Sequence, residues 1–482
     1  MRKISRQVSL LLILALVLGL AACAGSGDPG EAEVPTELSP EEAYLQAYRL
    51  YYSDMNYTAA YELLLEYENS EFAPLLRMLG MCLYGSEGVA VLKIDYPKAL
   101  ELFSRASDLG DAPAMACLGN MYASAIAAEL DRDKAEELYA QAAPAMEEYI
   151  AANPEAEDLP FYQTKLGDVY SGSQQLRDYD RAYELYLQAA DQSYAPAIYA
   201  IASCYDSGKG VEQNYNQGME WYLKAAELGY PRAIFAVGYN YQHGEGVEQD
   251  YALALQWYER AAELGEVHAM TSLGGMYQYG EGLEQDYAQA LYWYEKAAEL
   301  GEMNAMNSLG IMYQNGYGVW QNRLRAVEWY EKAARLGHAG AMTNLGHMYQ
   351  NGYGVEPDYA KAIEWYEKAA QLGYANAMYE LGYMYDSGEV VEQDYAKAVE
   401  WYEKAAQLGH ALAMTNLGNM YSYGRGVEQD YAKAVELYEK AAELGYPTAM
   451  NNLSYMYQNG YGVEQDYEKA VEWYQKAAQA GG

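Results

Sequence analysis

The chain has 482 residues, of which 69 are Asp or Glu and 31 are Lys or Arg, so its formal net charge is −38. An acidic surface disfavours nucleic acid as a partner, because phosphate binding needs basic side chains. It also disfavours adsorption to anionic lipid headgroups, whereas basic proteins or multivalent cations would be attracted. Much of the charge has a simpler explanation, since an extended fold needs a charged surface to remain soluble.

The N-terminal residues resemble a secretion signal. Three basic residues among the first six precede an apolar run at residues 8–20, which is shorter than a membrane span and typical of a secretory signal peptide. The run ends in Leu-Ala-Ala-Cys at residues 20–23, which resembles the lipobox of bacterial lipoproteins. This resemblance implies cleavage before Cys23 and attachment of lipid to its sulfur. An ordinary signal peptide followed by an incidental cysteine is the alternative.

The next residues have the composition of a linker. Residues 24–37 are rich in Gly, Pro, Ser and Glu, which is typical of flexible tethers. We therefore predict a signal peptide at 1–22 and a tether at 23–38. The mature protein is expected outside the cytoplasm, lipid-anchored to the bacterial cell membrane. Where the source has two membranes, the outer one is favoured, because Ala24 rather than an aspartate follows the cysteine.

A segment of 36 residues is repeated along most of the chain. Successive tryptophans lie 36 residues apart from Trp221 to Trp401, and Trp473 follows after two further periods. Glycines of a Gly-x-Gly-Val turn recur in the same step from Gly210 to Gly462. Catalytic residues normally occur once in a chain, whereas a segment repeated at a fixed period indicates a stacked structural unit.

The unit at residues 339–373 predicts a helical hairpin. Apolar residues at helical spacing form a first helix, which ends at the two glycines of the turn. Asp358 stands at the N-cap of a second helix that carries its own apolar stripe. Glu364 and Lys368 form an exposed i, i+4 pair worth about 0.2–0.5 kcal/mol. One hairpin cannot bury its apolar face alone, but stacked copies can.

The pattern A-M-x-x-L-G-x-M-Y-x-x-G-x-G-V-x-x-D-Y-x-x-A-x-x-W-Y-x-x-A-A-x-x-G resembles the Sel-one-like repeat (SLR) family, a relative of the tetratricopeptide repeats. The match is dense from about Ala195 onward and thinner before it. The resemblance implies a right-handed superhelical solenoid that mediates protein–protein interaction and has no chemistry of its own. We expect an all-α fold of about twelve antiparallel hairpins. Degenerate repeats with insertions occupy 39–158, and a regular array occupies 159–482.

Three cysteines follow Cys23 in the sequence. Cys82 and Cys204 stand at the same repeat position three units apart, which exceeds the reach of about 6 Å that a disulfide allows. We expect buried thiols, and a Cys82–Cys117 disulfide is the alternative. Some secreted SLR proteins tie their hairpins with cysteine pairs. The departure from that pattern weakens any transfer of their suggested binding of cell-wall-related compounds.

The sequence shows no catalytic or metal-binding constellation. His338 and His410 occupy equivalent positions two units apart, and His347 lies one helix along from His338. We expect these to be solvated surface histidines, because a zinc site needs three or four converging ligands. The Gly-x-Gly turns lack the Lys-Ser/Thr of a phosphate loop, and the acidic loops lack EF-hand spacing. We therefore predict a non-enzymatic protein that uses no metal or cofactor.

Binding is expected where the repeats differ. On a helical wheel, one row of first-helix positions points away from the buried stripe, and its amides, hydroxyls and tyrosines suit recognition of a peptide. We call this predicted binding surface the groove row, and it comprises Thr343, His347, Gln350, Tyr379, Tyr383, Asp386, Asn419, Asn451 and Tyr455. A merely solvated face is the alternative, although such faces usually carry more Lys and Glu.

Two places break the period. Residues 319–325 read V-W-Q-N-R-L-R in place of the usual V-E-Q-D-Y-A-K. Trp320, Arg323 and Arg325 are residue types typical of contact hot spots, and drift in a tolerant loop is the alternative. At the C-terminal edge, no further helix covers the last hairpin in this sequence. We expect that hairpin either to fray or to dock, by self-association or against a partner.

These patterns together predict a membrane-tethered, extracytoplasmic scaffold for protein–protein interaction in cell-envelope assembly or signalling. Its partner is a protein or peptide, with basic charge favoured. The alternative from another class is a carbohydrate- or cell-wall-binding factor in polysaccharide export or envelope maintenance. Tyrosine richness fits both, and a pull-down from membranes would separate them.

Overall fold

A computed structural model describes residues 38–85, 94–128, 130–389 and 391–481. All regular secondary structure in these ranges is helical. The helices are α1 (Pro40–Tyr52), α2 (Tyr57–Leu65), α3 (Ala73–Tyr84), α4 (Tyr96–Asp108), α5 (Ala112–Ser124), α6 (Arg132–Ala152), α7 (Leu159–Gly172), α8 (Tyr179–Ala190), α9 (Ala195–Ser207), α10 (Tyr215–Glu227), α11 (Pro231–His243), α12 (Tyr251–Glu263), α13 (Val267–Tyr279), α14 (Tyr287–Glu299), α15 (Met303–Asn315), α16 (Arg323–Arg335), α17 (Ala339–Asn351), α18 (Tyr359–Gln371), α19 (Ala375–Ser387), α20 (Tyr395–Gln407), α21 (Ala411–Tyr423), α22 (Tyr431–Glu443), α23 (Pro447–Asn459) and α24 (Tyr467–Ala480).

Each odd-numbered helix pairs with the even-numbered helix after it, and each pair packs on the next pair along the chain. Within the described ranges this gives twelve hairpins from 24 helices. The prediction of an all-α solenoid of about twelve hairpins is therefore confirmed. The odd-numbered helix of a hairpin is called its first helix, and the even-numbered one is called its second helix.

The turn inside each regular hairpin depends on two glycines and an acid. In the α17/α18 hairpin, Gly352 and Gly354 have positive φ angles of 66° and 77°, which favour glycine. A Cβ on Gly354 would also lie 2.5 Å from the carbonyl carbon of Arg323, so the turn packs closely on the preceding hairpin. Asp358 then accepts a hydrogen bond from the Lys361 amide at 3.1 Å. This confirms the predicted N-cap.

The recurrent glutamine of the turn closes the first helix. The side-chain amide of Gln285 donates to the carbonyl oxygen of Gln278 at 2.7 Å, near the C-terminal end of α13. Such carbonyls have no partner within the helix, so the glutamine satisfies a group left open by the helix end. The same bond is made by Gln213, Gln249, Gln321, Gln393, Gln429 and Gln465.

Inside eight of the twelve described hairpins a tyrosine of the second helix lies against a glycine of the first, and in the α3/α4 hairpin Phe103 lies against Gly80 in the same way. A Cβ on Gly346 would approach the Tyr366 ring to 2.5 Å, so only glycine lets the two helices pack this way. The Tyr366 hydroxyl donates to the side-chain oxygen of Gln350, one turn after the glycine, at 2.8 Å. The glycine of the repeated Leu-Gly pair therefore leaves the space that the buried tyrosine ring fills.

The second helices carry charged pairs on their exposed side. Lys368 Nζ lies 2.7 Å from Glu364 Oε1, as predicted, and 4.4 Å from the centre of the Trp365 ring. Both charged side chains of the pair are largely exposed. The pair therefore contributes little to stability.

The first repeats differ from this regular pattern. Ser39 and Glu42 form a capping box at the start of α1, in agreement with the predicted cap. Helix α6 has 21 residues with Pro144 inside it, so the predicted insertion lengthens a helix. The first hairpins also contact later ones, because the Ile94 amide donates to the Leu300 carbonyl oxygen at 2.8 Å.

The cysteines of the described ranges are free thiols. Cys82 and Cys204 are buried as expected, whereas Cys117 is partly exposed. Burial raises the pKa of the Cys82 thiol to about 12 and that of Cys204 to about 11, so both stay protonated at neutral pH. The predicted lipidation site, Cys23, lies outside the described residues. None of the helices described here has the length and apolar character that crossing a bilayer requires.

Candidate functional site

A cleft of about 550 Å³ opens between the first helices of successive repeats. We call it the Tyr379 cleft, and it is lined by Asn307, Ile311, His338, Gly340, Thr343, Asn344, His347, Tyr374, Asn376, Tyr379, Glu380, His410 and Leu412. Its walls come from α15, α17, α19 and α21 and from the residues that cap the last three. The lining mixes aromatic rings, imidazoles, amides and one carboxyl group.

Two histidines of the cleft are held as helix caps. His338 Nδ1 accepts a hydrogen bond from the Ala341 amide at 2.8 Å, and His410 Nδ1 accepts from the Ala413 amide at 3.1 Å. His338 Nε2 in turn donates to Asn304 Oδ1 at 3.1 Å. Because an accepting Nδ1 carries no proton, both rings are held neutral. Burial lowers the pKa of both rings, which acts in the same direction.

An aromatic wall and a carboxyl group define the open part of the cleft. The rings of Tyr379 and His410 stack with centroids 4.9 Å apart and planes 22° apart. Glu380, the next residue on α19, places Oε1 3.6 Å from His347 Nε2 of α17. Burial raises the pKa of the Glu380 carboxyl to about 7 and lowers that of His347. Near neutral pH the Glu380 carboxyl is therefore only partly ionised, and burial favours the neutral form of His347.

The family of this chain follows from the repeat pattern. The family model of the Sel1 repeat matches eleven successive segments, at residues 74–111, 112–143, 160–194, 195–230, 231–266, 267–302, 304–338, 339–374, 375–410, 411–446 and 447–482. The protein belongs to the Sel1 repeat family. These matches confirm the resemblance drawn from the repeat pattern.

Solved structures of similar chains include two Sel1 proteins. A protective antigen with an SLR fold from uropathogenic Escherichia coli is 33% identical, with a TM-score of 0.48, over 87% of this chain and 86% of that one. A Sel1 repeat protein from Oxalobacter formigenes is 34% identical, with a TM-score of 0.45, over 62% of this chain and 86% of that one. A search of curated protein sequences finds no significant match. Sel1 arrays generally mediate contacts between proteins and are generally non-catalytic.

Within this Sel1 array, three residues of the predicted groove row line the Tyr379 cleft: Thr343, His347 and Tyr379. Thr343 is only 5% exposed, and its hydroxyl donates to the Ala339 carbonyl oxygen at 3.1 Å. The expectation that Thr343 points outward is therefore wrong, because its side chain is buried and its hydroxyl bonds back to its own helix.

Three other groove-row residues are occupied by the fold. Gln350 accepts the hydroxyl hydrogen bond of Tyr366 at 2.8 Å, and Asp386 accepts that of Tyr402 at 3.4 Å. Asn419 accepts from the Tyr438 hydroxyl at 2.7 Å. Since each acceptor satisfies a buried tyrosine of its own hairpin, its first role in this Sel1 array is structural. The last three members of the row, Tyr383, Asn451 and Tyr455, are exposed.

The cleft also contains residues that the sequence did not single out as binding residues. Glu380, Tyr374, His338 and His410 line it, and the expectation of solvated surface histidines is wrong, since His338, His347 and His410 are partly buried. The common repeat position of His338 and His410 was visible in the sequence. The approach of the Glu380 carboxyl to His347, which lies on a different helix, was not. In the described part of the chain, no group of three or more His, Cys, Asp or Glu side chains is placed to hold a metal ion.

The loop with the altered sequence carries an exposed aromatic side chain. Trp320 is 95% exposed and borders a shallow depression formed by the turn after α15. The two arginines are engaged within the array: Arg323 lies 4.3 Å from the Tyr353 ring centre, and Arg325 donates to the Tyr313 hydroxyl at 3.0 Å. Of the predicted trio, Trp320 thus has the side chain most available to a partner.

Proposed function

We propose that this Sel1 protein is a membrane-tethered, extracytoplasmic scaffold that binds a protein partner along the first-helix face in cell-envelope assembly or signalling. The observation that carries the proposal is the Tyr379 cleft. Buried tyrosine hydroxyls use Gln350 and Asp386, whereas the Tyr379 ring, the Glu380 carboxyl and the exposed ring of Tyr383 face the first-helix side. Exposed tyrosines beside a polar cleft are typical of surfaces that bind peptide segments.

The charge of the molecule supports a basic partner. The net charge of −38 attracts cationic proteins at long range and repels nucleic acids. In addition, none of the residues that line the Tyr379 cleft is Lys or Arg. A basic segment would therefore meet favourable potential during its approach and again within the cleft.

The proposed location depends on the N-terminal sequence. The apolar run at 8–20 and the Leu-Ala-Ala-Cys at 20–23 support export and lipid attachment at Cys23. Cys23→Ser should abolish incorporation of labelled fatty acid and release the protein from the membrane fraction. If the variant remains labelled and membrane-bound, the proposed anchor is wrong.

The partner-binding surface is tested by a pull-down from solubilised membranes. Changing Tyr379, Tyr383 and Tyr455 together to Ala should reduce capture of a stoichiometric protein partner by about 100-fold or more, because the loss at Tyr455, in a different repeat, should add to the loss at the neighbouring rings of Tyr379 and Tyr383. The control variant changes Glu364 and Lys368 to Ala on the opposite helix, where an exposed ion pair contributes little. Circular dichroism should show the same helix content in all three proteins.

Two outcomes would redirect the proposal. Equal capture by the tyrosine variant and the wild type would move the binding site to the Trp320 loop or to the C-terminal edge. Retention on peptidoglycan or glycan without a protein partner would favour the carbohydrate-binding alternative. Self-association through the C-terminal edge stays a prediction. Val471 of α24 is 55% exposed, whereas Val435 at the same position of α22 is 5% exposed.

A further inference from the structure

We infer that the Tyr379 cleft recognises the cationic side chain of a lysine or arginine in the partner, seated between the Tyr379–His410 rings and the Glu380 carboxylate. The inference rests on the proposed function and narrows the chemistry of the partner. It concerns one position of the bound segment, which would fix the register of that segment on the array.

The chemistry of the cleft walls favours a cation. An ammonium or guanidinium group is attracted to the face of an aromatic ring and gains further from a carboxylate beside it. Tyr379 and Tyr374 supply rings, and Glu380, whose side chain is 19% exposed, supplies the carboxylate. An anionic side chain would meet that carboxylate with no cation from the cleft-lining residues to offset it.

The molecule contains an arrangement of the same kind inside its own core. The guanidinium carbon of Arg77 lies 4.4 Å from the Phe161 ring centre and 5.6 Å from that of Tyr44. Its Nε lies 3.0 Å from the Asp111 carboxylate. Arg77 and Tyr379 occupy the same repeat position, two residues before a Leu-Gly pair, and Asp111 and His410 each cap the first helix of the next hairpin. The repeat thus accommodates a cation between rings and an acid at this place.

Binding should depend on pH through several groups that face the cleft. His338 and His347 belong to the α17 repeat, and His410 caps α21. From the second helices, the Tyr366 hydroxyl lies 3.1 Å from His347 Nδ1, and the Tyr402 ring lies 6.0 Å from that of Tyr379. Burial holds the tyrosines protonated and favours neutral histidines, so Glu380 is the group whose charge changes most near neutrality. Its pKa of about 7 means that affinity for a cation should rise as the pH increases from 5.5 to 8.

Fluorescein-labelled peptides Gly-Ala-X-Ala-Gly supply the probe, with Lys, Arg, norleucine or Glu at X. Fluorescence anisotropy at pH 8 should show the Lys and Arg peptides binding about tenfold more tightly than the norleucine peptide, with the Glu peptide weakest. The preference for Lys and Arg over norleucine should shrink at pH 5.5. Comparing Lys with Arg shows whether the cleft takes an ammonium or a planar guanidinium.

Glu380→Gln should remove the preference for Lys and Arg over norleucine. Glu364→Gln, on the second helix of the preceding repeat, is the matched control and should keep the preference. Tyr379→Leu should weaken both peptide classes. Circular dichroism establishes that each variant is folded. Glu380→Gln is expected to fold, because the raised pKa of Glu380 shows that its site favours an uncharged side chain.

Failure of the inference is distinguishable from failure of the proposed function. Equal binding of the Lys and norleucine peptides, a preference that survives Glu380→Gln, or no binding by any peptide at about 1 mM overturns the inference. Loss of partner capture in the tyrosine variant would then still support a first-helix binding site. Undiminished capture in that variant overturns both.

Discussion

One pair of repeat positions is packed differently in an early and in a late repeat of this array. In the early repeats the pair is Arg77 and Asp111, whose Nε–Oδ1 distance is 3.0 Å with both side chains almost wholly buried. In the later repeats the pair is Tyr379 and His410, whose rings stack at 4.9 Å on the wall of an open cleft. The early pair is covered by residues of neighbouring hairpins, and the later pair is left accessible.

Intermediate repeats use the same two positions in other ways. Tyr199 and Tyr230 place their ring centroids 5.7 Å apart, and the Thr271 hydroxyl lies 3.1 Å from Glu302 Oε2. Eight of the described hairpins share the glycine–tyrosine contact, which does not involve this pair of positions. Positions that stacking leaves free can therefore specialise, either for stability or for binding.

The largest expected effect tests the stabilising end of this comparison. Arg77→Met leaves Asp111 and Asp158 without their buried cation, since Arg77 also donates to the Tyr44 hydroxyl that donates to Asp158. An uncompensated buried charge should cost about 3–5 kcal/mol of unfolding free energy. Urea unfolding followed by circular dichroism measures the loss in the early repeats.

The control for that substitution is Arg49→Met. Arg49 pairs with Glu157 at 2.6 Å, but its side chain is 57% exposed, so the loss should stay below about 1 kcal/mol. Similar losses in the two variants would show that the Arg77 cluster is no more important than a surface pair. The contrast between the two ends of the array would then disappear.

The second prediction tests whether the glycine–tyrosine contact holds the repeats together. Gly274→Ala should destabilise the array by about 1–3 kcal/mol, because its Cβ would lie 2.5 Å from the Tyr294 ring. Gly275→Ala, one residue later in the same helix, has room for a methyl group, with the nearest atom, Tyr294 Oη, at 3.8 Å. It should stabilise the helix by up to about 1 kcal/mol. Thermal melts that shift in the same direction would contradict this role of the contact.

The repeat fold was predictable because its signals are local and periodic. The N-cap role of Asp358 and the turn at Gly352 and Gly354 follow from residue type and spacing alone, and the structure confirms them. The role of Gln285 was equally local but was missed, since a glutamine side chain that closes a preceding helix has no distinctive spacing. A repeated glutamine beside the capping acid was the available signal.

The candidate site was less predictable because it joins residues of different repeats. The helical wheel placed Tyr379 on the face that lines the cleft but treated Thr343 as open, although Thr343 is buried. Glu380 lies one position from the groove row, and only the packing of α17 against α19 brings it to His347. A wheel drawn for one helix contains no information on such contacts between helices.

The third prediction sharpens the comparison at the binding end. The fold raises the Glu380 pKa from 4.5 to about 7, so the contribution of the protonated group to stability is present below pH 4.5 and is lost as the pH rises through 7. Glu380→Gln mimics the protonated acid at every pH. The variant should match the wild type near pH 4.5 and be more stable by about 1–3 kcal/mol at pH 8. Glu364→Gln, at an exposed site, should show no such divergence across the same pH series.

The smallest effect on stability is expected at Trp320, where exposure rather than packing is the distinguishing feature. With 95% of its surface accessible, Trp320→Ala should change the unfolding free energy by no more than about 0.5 kcal/mol. A contact role would nevertheless appear in the pull-down, because an exposed tryptophan is a frequent hot spot and its truncation commonly costs about 1–2 kcal/mol of binding. Arg323→Ala is the informative partner variant, since its guanidinium lies over Tyr353 within the array and its loss should affect stability more than Trp320→Ala does. A Trp320 variant that lowers the melting temperature yet captures the partner normally would show that this ring packs on the array in solution. The Trp320 loop would then no longer be a candidate contact surface.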